Sequence, residues 1–345
     1  MSRDARRRRR ERLVLTAPSL ALTQGDPSGV GPELALMAYV LRQSSELPPF
    51  FLLSHPAFIA RVAANLALEI QIESTTAAHA ADVFGRALPV VDTGYDIAAV
   101  PGRPNPADAS STLRSIEQAV ECVVKGEARA VVTNPIAKSI LYKAGFKHPG
   151  HTEFLGELAH RHYGGDYRAV MMLWSEELAV VPLTIHIPLS DAPKRLSREL
   201  IVETGTIVAH DLKTRFDIAN PRLAFAGLNP HAGEDGALGR EEIDIIAPAI
   251  AELRARGVDA SGPFPADTMF HAAARAKYDV ALCPTHDQAL IPIKTLAFER
   301  GVNVTLGLPF VRTSPDHGTA FDIAGKGVAD PTSLIEAIKL AGRMT

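Results

Sequence analysis

The sequence predicts an α/β protein of two domains, each a buried, largely parallel sheet under helices. Three observations carry this. Short, uniformly apolar runs alternate with helical stretches, the pattern of strands covered on both faces. The chain has 345 residues, more than one ordinary domain holds. Hydrophobic residues make up 46% and charged residues 22%, a composition that builds a core and excludes a disordered chain.

The elements follow in order. "SLALT" is the first strand, and Val30, Leu34, Met37 and Leu41 then mark one face of a helix. "FFLLS" and "LPVV" continue the sheet, and Ile116, Ala119, Val120 and Val123 form the buried stripe of a second helix. Further strands are read in "ARAVVT", "AVMML", "LAVVPLT", "RLAFAG", "DVALC" and "VNVTL". "RLSRELIVETGTIVAHDLKTRF" and "GREEIDIIAPAIAELRARG" are long helices, the second ended by Gly257. No repeat of fixed period and no Pro-rich linker divides the chain, so it is expected to cross between its domains more than once.

The bulk properties exclude several classes. A net charge of −3 argues against a general nucleic-acid binder. Cys122 and Cys283 are too few for a disulfide framework and read as buried thiols of a reducing compartment. The opening "MSRDARRRRRER" beside "LVLTAPSLALT" imitates a secretory or twin-arginine signal. Pro18 breaks its short apolar part, no small-residue cleavage site follows, and cleavage would remove the first strand. It reads as a solvated basic tail over residues 1–18. No apolar run reaches the roughly 20 residues that span a bilayer. The expectation is a soluble, cytoplasmic protein with no membrane contact.

In such sheets ligands bind at the carboxyl ends of strands, so the polar residues there are the candidates. Three of these loops deliver a histidine: His186 in "IHIPL", His231 in "LNPHAGE" and His286 in "PTHDQ". Neutral imidazoles suit zinc, cobalt and similar ions, and three ligands leave a position open for substrate. The three are far apart in sequence, so no local motif supports the set. Asp267 and Asp287 are candidate partners of the ligands or proton acceptors; helix capping or solvation is the plainer account of each. His151 and Thr152 open a helix in "PGHTEF", where ring N–H, hydroxyl and free amides suit a phosphate or carboxylate; Thr152 also fits a simple cap. Lys294, Asn303 and Arg312 follow at steps of nine residues and supply a point charge, an amide and a guanidinium fork. "GDPSGVG" follows a strand, but its glycine spacing is wrong for a dinucleotide fingerprint.

Taken together, "QGDPSGVGPE", "TNPIAKSILYKAGFKHPGHTEF", "LNPHAGEDGALGREEID", "GPFPADTMF", "THDQALIPIK" and "GVNVTLGLPFVRTSPDHGTAFDIAGKG" resemble the 4-hydroxythreonine-4-phosphate dehydrogenase family, from about Leu20 to the C-terminus. The two ends also resemble the broader isocitrate and isopropylmalate dehydrogenase family. The resemblance implies two α/β/α domains around a cleft, residues 19–130 plus 300–345 carrying the cofactor loop and residues 131–299 carrying the metal histidines and dimer contacts. It implies NAD or NADP and one divalent metal (zinc, magnesium or cobalt) held by His186, His231 and His286. It further implies substrate binding by His151, Thr152, Lys294, Asn303 and Arg312, and a cofactor loop through His317, Gly318, Asp322, Gly325 and Gly327. A homodimer with composite sites is implied too. The implied reaction oxidises 4-phosphooxy-L-threonine to 2-amino-3-oxo-4-phosphooxybutanoate, which loses carbon dioxide to give 3-amino-2-oxopropyl phosphate in vitamin B6 biosynthesis. Two departures stand out: Ala289 where the family usually has Gly, and Asp330 where the isocitrate-type relatives have Asn. The competing readings are a dehydrogenase of 4-phospho-D-threonate or 4-phospho-D-erythronate, a dihydrodiol dehydrogenase, a phosphate acyltransferase, and a non-catalytic binding protein.

Overall fold

A computed structural model describes residues 18–148 and 150–344; apart from Pro18, the basic tail lies outside them. The chain forms two compact units, residues up to Tyr167 together with those from Leu308 onward, and Arg168–Gly307. The divisions therefore fall after Tyr167 and Gly307, whereas the resemblance implies about 130 and 300. The reason is local pairing: the strand beginning at Val131 and the helix beginning at His151 pack into the first unit.

In the first unit the chain runs β1 (Leu20–Thr23), α1 (Gly31–Val40), β2 (Phe50–Ser54), α2 (Pro56–Asn65), β3 (Ile72–Ser74), α3 (Ala80–Phe84), β4 (Leu88–Asp92), α4 (Ala109–Val124), β5 (Val131–Val132), α5 (Lys138–Lys143) and α6 (His151–Tyr163). The second unit follows with β6 (Val170–Trp174), β7 (Ala179–Pro182), α7 (Ala192–Arg195), α8 (Arg198–Arg215), β8 (Arg222–Ala226), α9 (Ala247–Ala255), β9 (Asp259–Phe264), α10 (Ala272–Arg275), β10 (Val280–Cys283), α11 (His286–Ala297) and β11 (Val302–Leu306). The chain then returns to the first unit as β12 (Arg312–Pro315) and α12 (Thr332–Arg343).

The first unit's strands lie in the order β3-β4-β2-β1-β5-β12, every pair parallel. The apolar runs explain the arrangement: all five residues of β2 and all four of β1 are buried, as a sheet sandwiched by helices requires. The second unit orders its strands β11-β6-β7-β10-β8-β9, antiparallel at the first two junctions and parallel from β7 onward. Its core gathers Leu173, Val180, Ala224, Ala281, Leu290 and Ile293. The nine strands read from the sequence are present, and β3, β9 and β12 join them. The long stretch ended by Gly257 is two elements, a π turn at Glu242–Ile246 and then α9; Gly257 takes φ 84°. Cys122 on α4 and Cys283 at the end of β10 are free and buried. Among the described residues no helix is long and apolar enough to cross a membrane.

Candidate functional site

The sheet of the second unit explains how distant histidines approach one another. His186, His286 and His231 follow β7, β10 and β8, three adjacent parallel strands with β10 in the middle. Neighbouring strands lie about 4.8 Å apart, so the outer two ends are roughly 10 Å apart. Pairing continues past the first two strand ends: Leu183 N–H donates to the Cys283 carbonyl at 2.8 Å, and the Thr184 hydroxyl to the Pro284 carbonyl at 2.6 Å. This brings the His186 and His286 rings to 5.7 Å between centres. With metal–nitrogen bonds of about 2.0–2.1 Å, two imidazoles on one tetrahedral ion have centres roughly 5–5.5 Å apart, so the pair fits a shared divalent ion.

His286 opens α11 behind a Thr285–Gln288 capping box. Its Nδ1 lies 2.7 Å from an Asp287 carboxylate oxygen, which orients the ring and leaves Nε2 for a ligand. Both histidines, Asp267 and Asp287 line one cavity of about 830 Å³, whose apolar wall includes Ile187, Leu189, Phe270 and Ile291. Leu189 is 74% exposed and Ile291 63%. His231 does not line this cavity. Among the described residues no three His, Cys, Asp or Glu side chains gather closely enough to hold a metal. One chain thus assembles two of the three expected histidines.

His231 lies instead on an unusual turn. Residues 231–235 all have positive φ: His231 53°, Ala232 52°, Gly233 82°, Glu234 43° and Asp235 54°. Ala232 and Glu234 carry the clearest cost, about 1–2 kcal/mol each, while His231 and Asp235 are types that enter this region more readily. The turn is braced by Glu242, only 3% exposed. One Glu242 oxygen accepts from Asn229 N–H at 2.7 Å and the other from the Asn229 side-chain amide at 3.0 Å. Gln288 ties the same region to α11, donating to the Gly227 carbonyl at 2.9 Å.

The first unit holds a separate group of cation and imidazole. Arg312, on β12, is 4% exposed and donates from Nε and Nη2 to the Thr133 hydroxyl at 3.1 and 2.6 Å. Burial lowers its pKa to about 10, which leaves it charged at neutral pH. His151 is the first residue of α6, whose N-cap Gly150 supplies no side chain. Its Nε2 is buried with no hydrogen-bond partner. Burial, then the nearby Arg312 and Lys138 charges, hold the ring neutral well below its ordinary pKa. An orphaned imidazole nitrogen beside a buried guanidinium, with helix amides at hand, suits a phosphate or carboxylate. Thr152 follows His151 on the helix. Lys294 and Asn303 belong to the second unit, on α11 and β11.

The loop from His317 to Gly327 is braced within the first unit. Val30 N–H donates to the Thr319 carbonyl at 3.0 Å, and Gly325 N–H to the buried Glu33 carboxylate at 2.7 Å. Gly325 at φ 77° and Gly327 at φ 68° take conformations that favour glycine. His317 and Asp322 are exposed. Asp330 accepts from the Thr332 N–H and hydroxyl at the start of α12, a local use of the residue that departs from Asn. Ala289 is fully buried in the core. Sequence reading passed over Thr133, Lys138, Asn229, Glu33 and Glu242. Each looks like an ordinary polar residue until folding sets it beside a candidate site residue or its loop.

Comparison with known proteins adds the following. The profile described as "Pyridoxal phosphate biosynthetic protein PdxA" matches residues 46–341. The chain is 59% identical over 336 residues to 4-hydroxythreonine-4-phosphate dehydrogenase of Bradyrhizobium diazoefficiens, covering 95% of this chain and 97% of that protein. It is 58% identical over 327 residues to the protein of the same name from Methylorubrum populi, covering 94% of each. The crystal structure of the Klebsiella pneumoniae 4-hydroxythreonine-4-phosphate dehydrogenase superposes with a TM-score of 0.84 at 34% identity, over 95% of this chain and 98% of that one.

Proposed function

The chain belongs to the pyridoxal phosphate biosynthetic protein PdxA family, and on that premise we propose that it oxidises the secondary alcohol of 4-phosphooxy-L-threonine with NAD or NADP as acceptor. The product, 2-amino-3-oxo-4-phosphooxybutanoate, is a β-keto acid and loses carbon dioxide to give 3-amino-2-oxopropyl phosphate. The observation that carries the substrate class is the buried Arg312 guanidinium beside the orphaned His151 nitrogen, an anion site built into the first unit.

Each residue has a stated task in this reading. Thr133 fixes the Nε–Nη2 edge of the Arg312 fork, and the buried, charged guanidinium is the candidate partner of the substrate phosphate. His151, held neutral, adds one N–H without adding charge. Lys294 and Asn303 are the candidate substrate residues carried by the second unit. His186 and His286 are nitrogen donors that suit zinc or cobalt better than magnesium, which prefers oxygen ligands, and Asp287 keeps the His286 ring aligned. A divalent ion held by these histidines would supply Lewis acidity at the substrate alcohol, and a bound nicotinamide would supply the hydride acceptor. Asp267, facing the same cavity, is the candidate proton acceptor. The loop His317–Gly327, with Gly318 and Asp322, is the candidate nucleotide contact.

A homodimer completes the metal site. His231 stands outside the His186–His286 pair, and the cavity rim exposes Leu189 and Ile291, apolar surface suited to a second copy. The experiment is reduced-nicotinamide formation at 340 nm. Substrates are 4-hydroxythreonine 4-phosphate and 4-phosphothreonate in parallel, with and without a chelator. Turnover of the first, abolished by the chelator, is expected. Preference for the second, or indifference to the chelator, would overturn the reading.

A further inference from the structure

His231 is carried by backbone that its own sequence disfavours. Only Gly233 among residues 231–235 adopts a positive φ without penalty. Such strain persists where surrounding structure over-determines it, and it gathers at sites where a side chain must be aimed. The surroundings here are specific. Glu242 reaches back from a π turn and spends both oxygens on Asn229, the residue that leads into the strained segment. Glu241 accepts from the same Asn229 amide at 2.7 Å. Space for the brace is cleared by glycines. A Cβ on Gly233 would lie 2.6 Å from a Glu242 oxygen, one on Gly227 would lie 2.9 Å from the Ala232 Cα, and one on Gly239 would overlap the Asn229 side chain.

A carboxylate this deeply buried is costly unless its hydrogen bonds are met. Glu242 meets them with the backbone and side chain of a single residue. A fold that needed only a loop between β8 and the next helix could use relaxed, right-handed backbone and no buried charge. We infer that Glu242, acting through Asn229, is a positioning residue for the metal site: it locks the left-handed turn so that His231 is presented in one fixed direction. This rests on the reading of His231 as a metal ligand.

The test uses the purified full-length protein and Co²⁺ as the probe, followed by its visible absorption and by thermal melting with and without the ion. Glu242→Gln keeps the size but cannot accept from both Asn229 donors. We expect Co²⁺ affinity to fall by about 10–100-fold, the range for partners that orient metal ligands. The Co²⁺ spectrum should change, and the Co²⁺-induced rise in melting temperature should shrink. Ala232→Gly, which removes one strained side chain, should raise the melting temperature of the metal-free protein. If Glu242→Gln does not fold, Asn229→Ser reads the same link with a smaller loss. His231→Ala separates the two layers of the argument. Unchanged Co²⁺ affinity in His231→Ala would remove the ligand reading itself. Lost affinity in His231→Ala with unchanged affinity and spectrum in Glu242→Gln, or in Asn229→Ser where that variant stands in, would overturn the inference alone. So would a lower metal-free melting temperature combined with an undiminished Co²⁺ increment, which is the signature of a purely architectural carboxylate.

Discussion

Replacing Arg312 by Met tests the proposed anion site apart from the rest of the protein. Methionine is unbranched and flexible and suits a position that is 4% exposed, and its shorter chain adds a packing cost that the melting curve reads separately. What is lost is the guanidinium. Two of its N–H groups are committed to Thr133, and its charge persists because burial lowers its pKa only to about 10. If the guanidinium makes two charge-assisted bonds to the phosphate, each contributes about 1.5–3 kcal/mol, or roughly 3–6 kcal/mol together. That predicts a fall in kcat/KM of about 10²- to 10⁴-fold on the phosphorylated substrate. The unphosphorylated alcohol, which never made those bonds, should lose little. Arg312→Lys should fall between, since an ammonium keeps the charge and loses the fork. Steady-state kinetics on both substrates, with melting curves to confirm folding, decide the matter. Equal losses on the two substrates would refute the reasoning and leave Arg312 as a purely structural partner of Thr133.

Three further expectations follow from the geometry. His186→Ala or His286→Ala should each weaken metal binding by at least about tenfold while leaving the melting temperature of metal-free protein near the parent; metal analysis after dialysis checks this, and unchanged content in both would sink the pair. Because burial, Arg312 and Lys138 hold folded His151 neutral well below its ordinary 6.5, only the unfolded chain takes up that proton as pH falls. Stability is therefore full above about pH 6.5 and is lost below it, by up to about 1.4 kcal/mol per pH unit. His151→Asn should flatten that slope in urea melts between about pH 6.5 and 5, and an unaltered slope would count against it. Glu33→Gln weakens the clamp on Gly325 N–H and should raise the KM for the nicotinamide cofactor by about tenfold, the order of one charge-assisted hydrogen bond, with kcat nearly kept; a KM that does not move would separate Glu33 from the loop's function.

Much of the fold is legible because burial on both faces forces long apolar strings, as in "FFLLS" and "VALC". β9 reads "DASGPF" and β12 reads "RTSP", so Gly, Pro and polar residues conceal them. They are strands because a neighbour is already in place to pair with them, a fact of tertiary structure. The histidines at strand ends are legible for a related reason: a parallel sheet collects its loops at one end. The order β7-β10-β8 is not, and it is this order that sets His286 next to His186. Least legible are the carboxylates. Glu33 acts on a residue 292 positions away, and Glu242 sits in a stretch that reads as a solvated helix face. Local patterning carries no trace of either partner.

The two buried thiols have a practical consequence. The first unit contains Cys122 and the second Cys283, and the chain has no other cysteine. Burial pushes both up to about 12. At pH 8 the reactive thiolate is then about one part in 10⁴, against roughly a quarter for an ordinary exposed cysteine. Alkylation should therefore wait for each unit to open, and peptide mass spectrometry would count the two modifications separately. The protein carries its own pair of clocks, one timing the breathing of the first unit and the other that of the second, with no label to engineer.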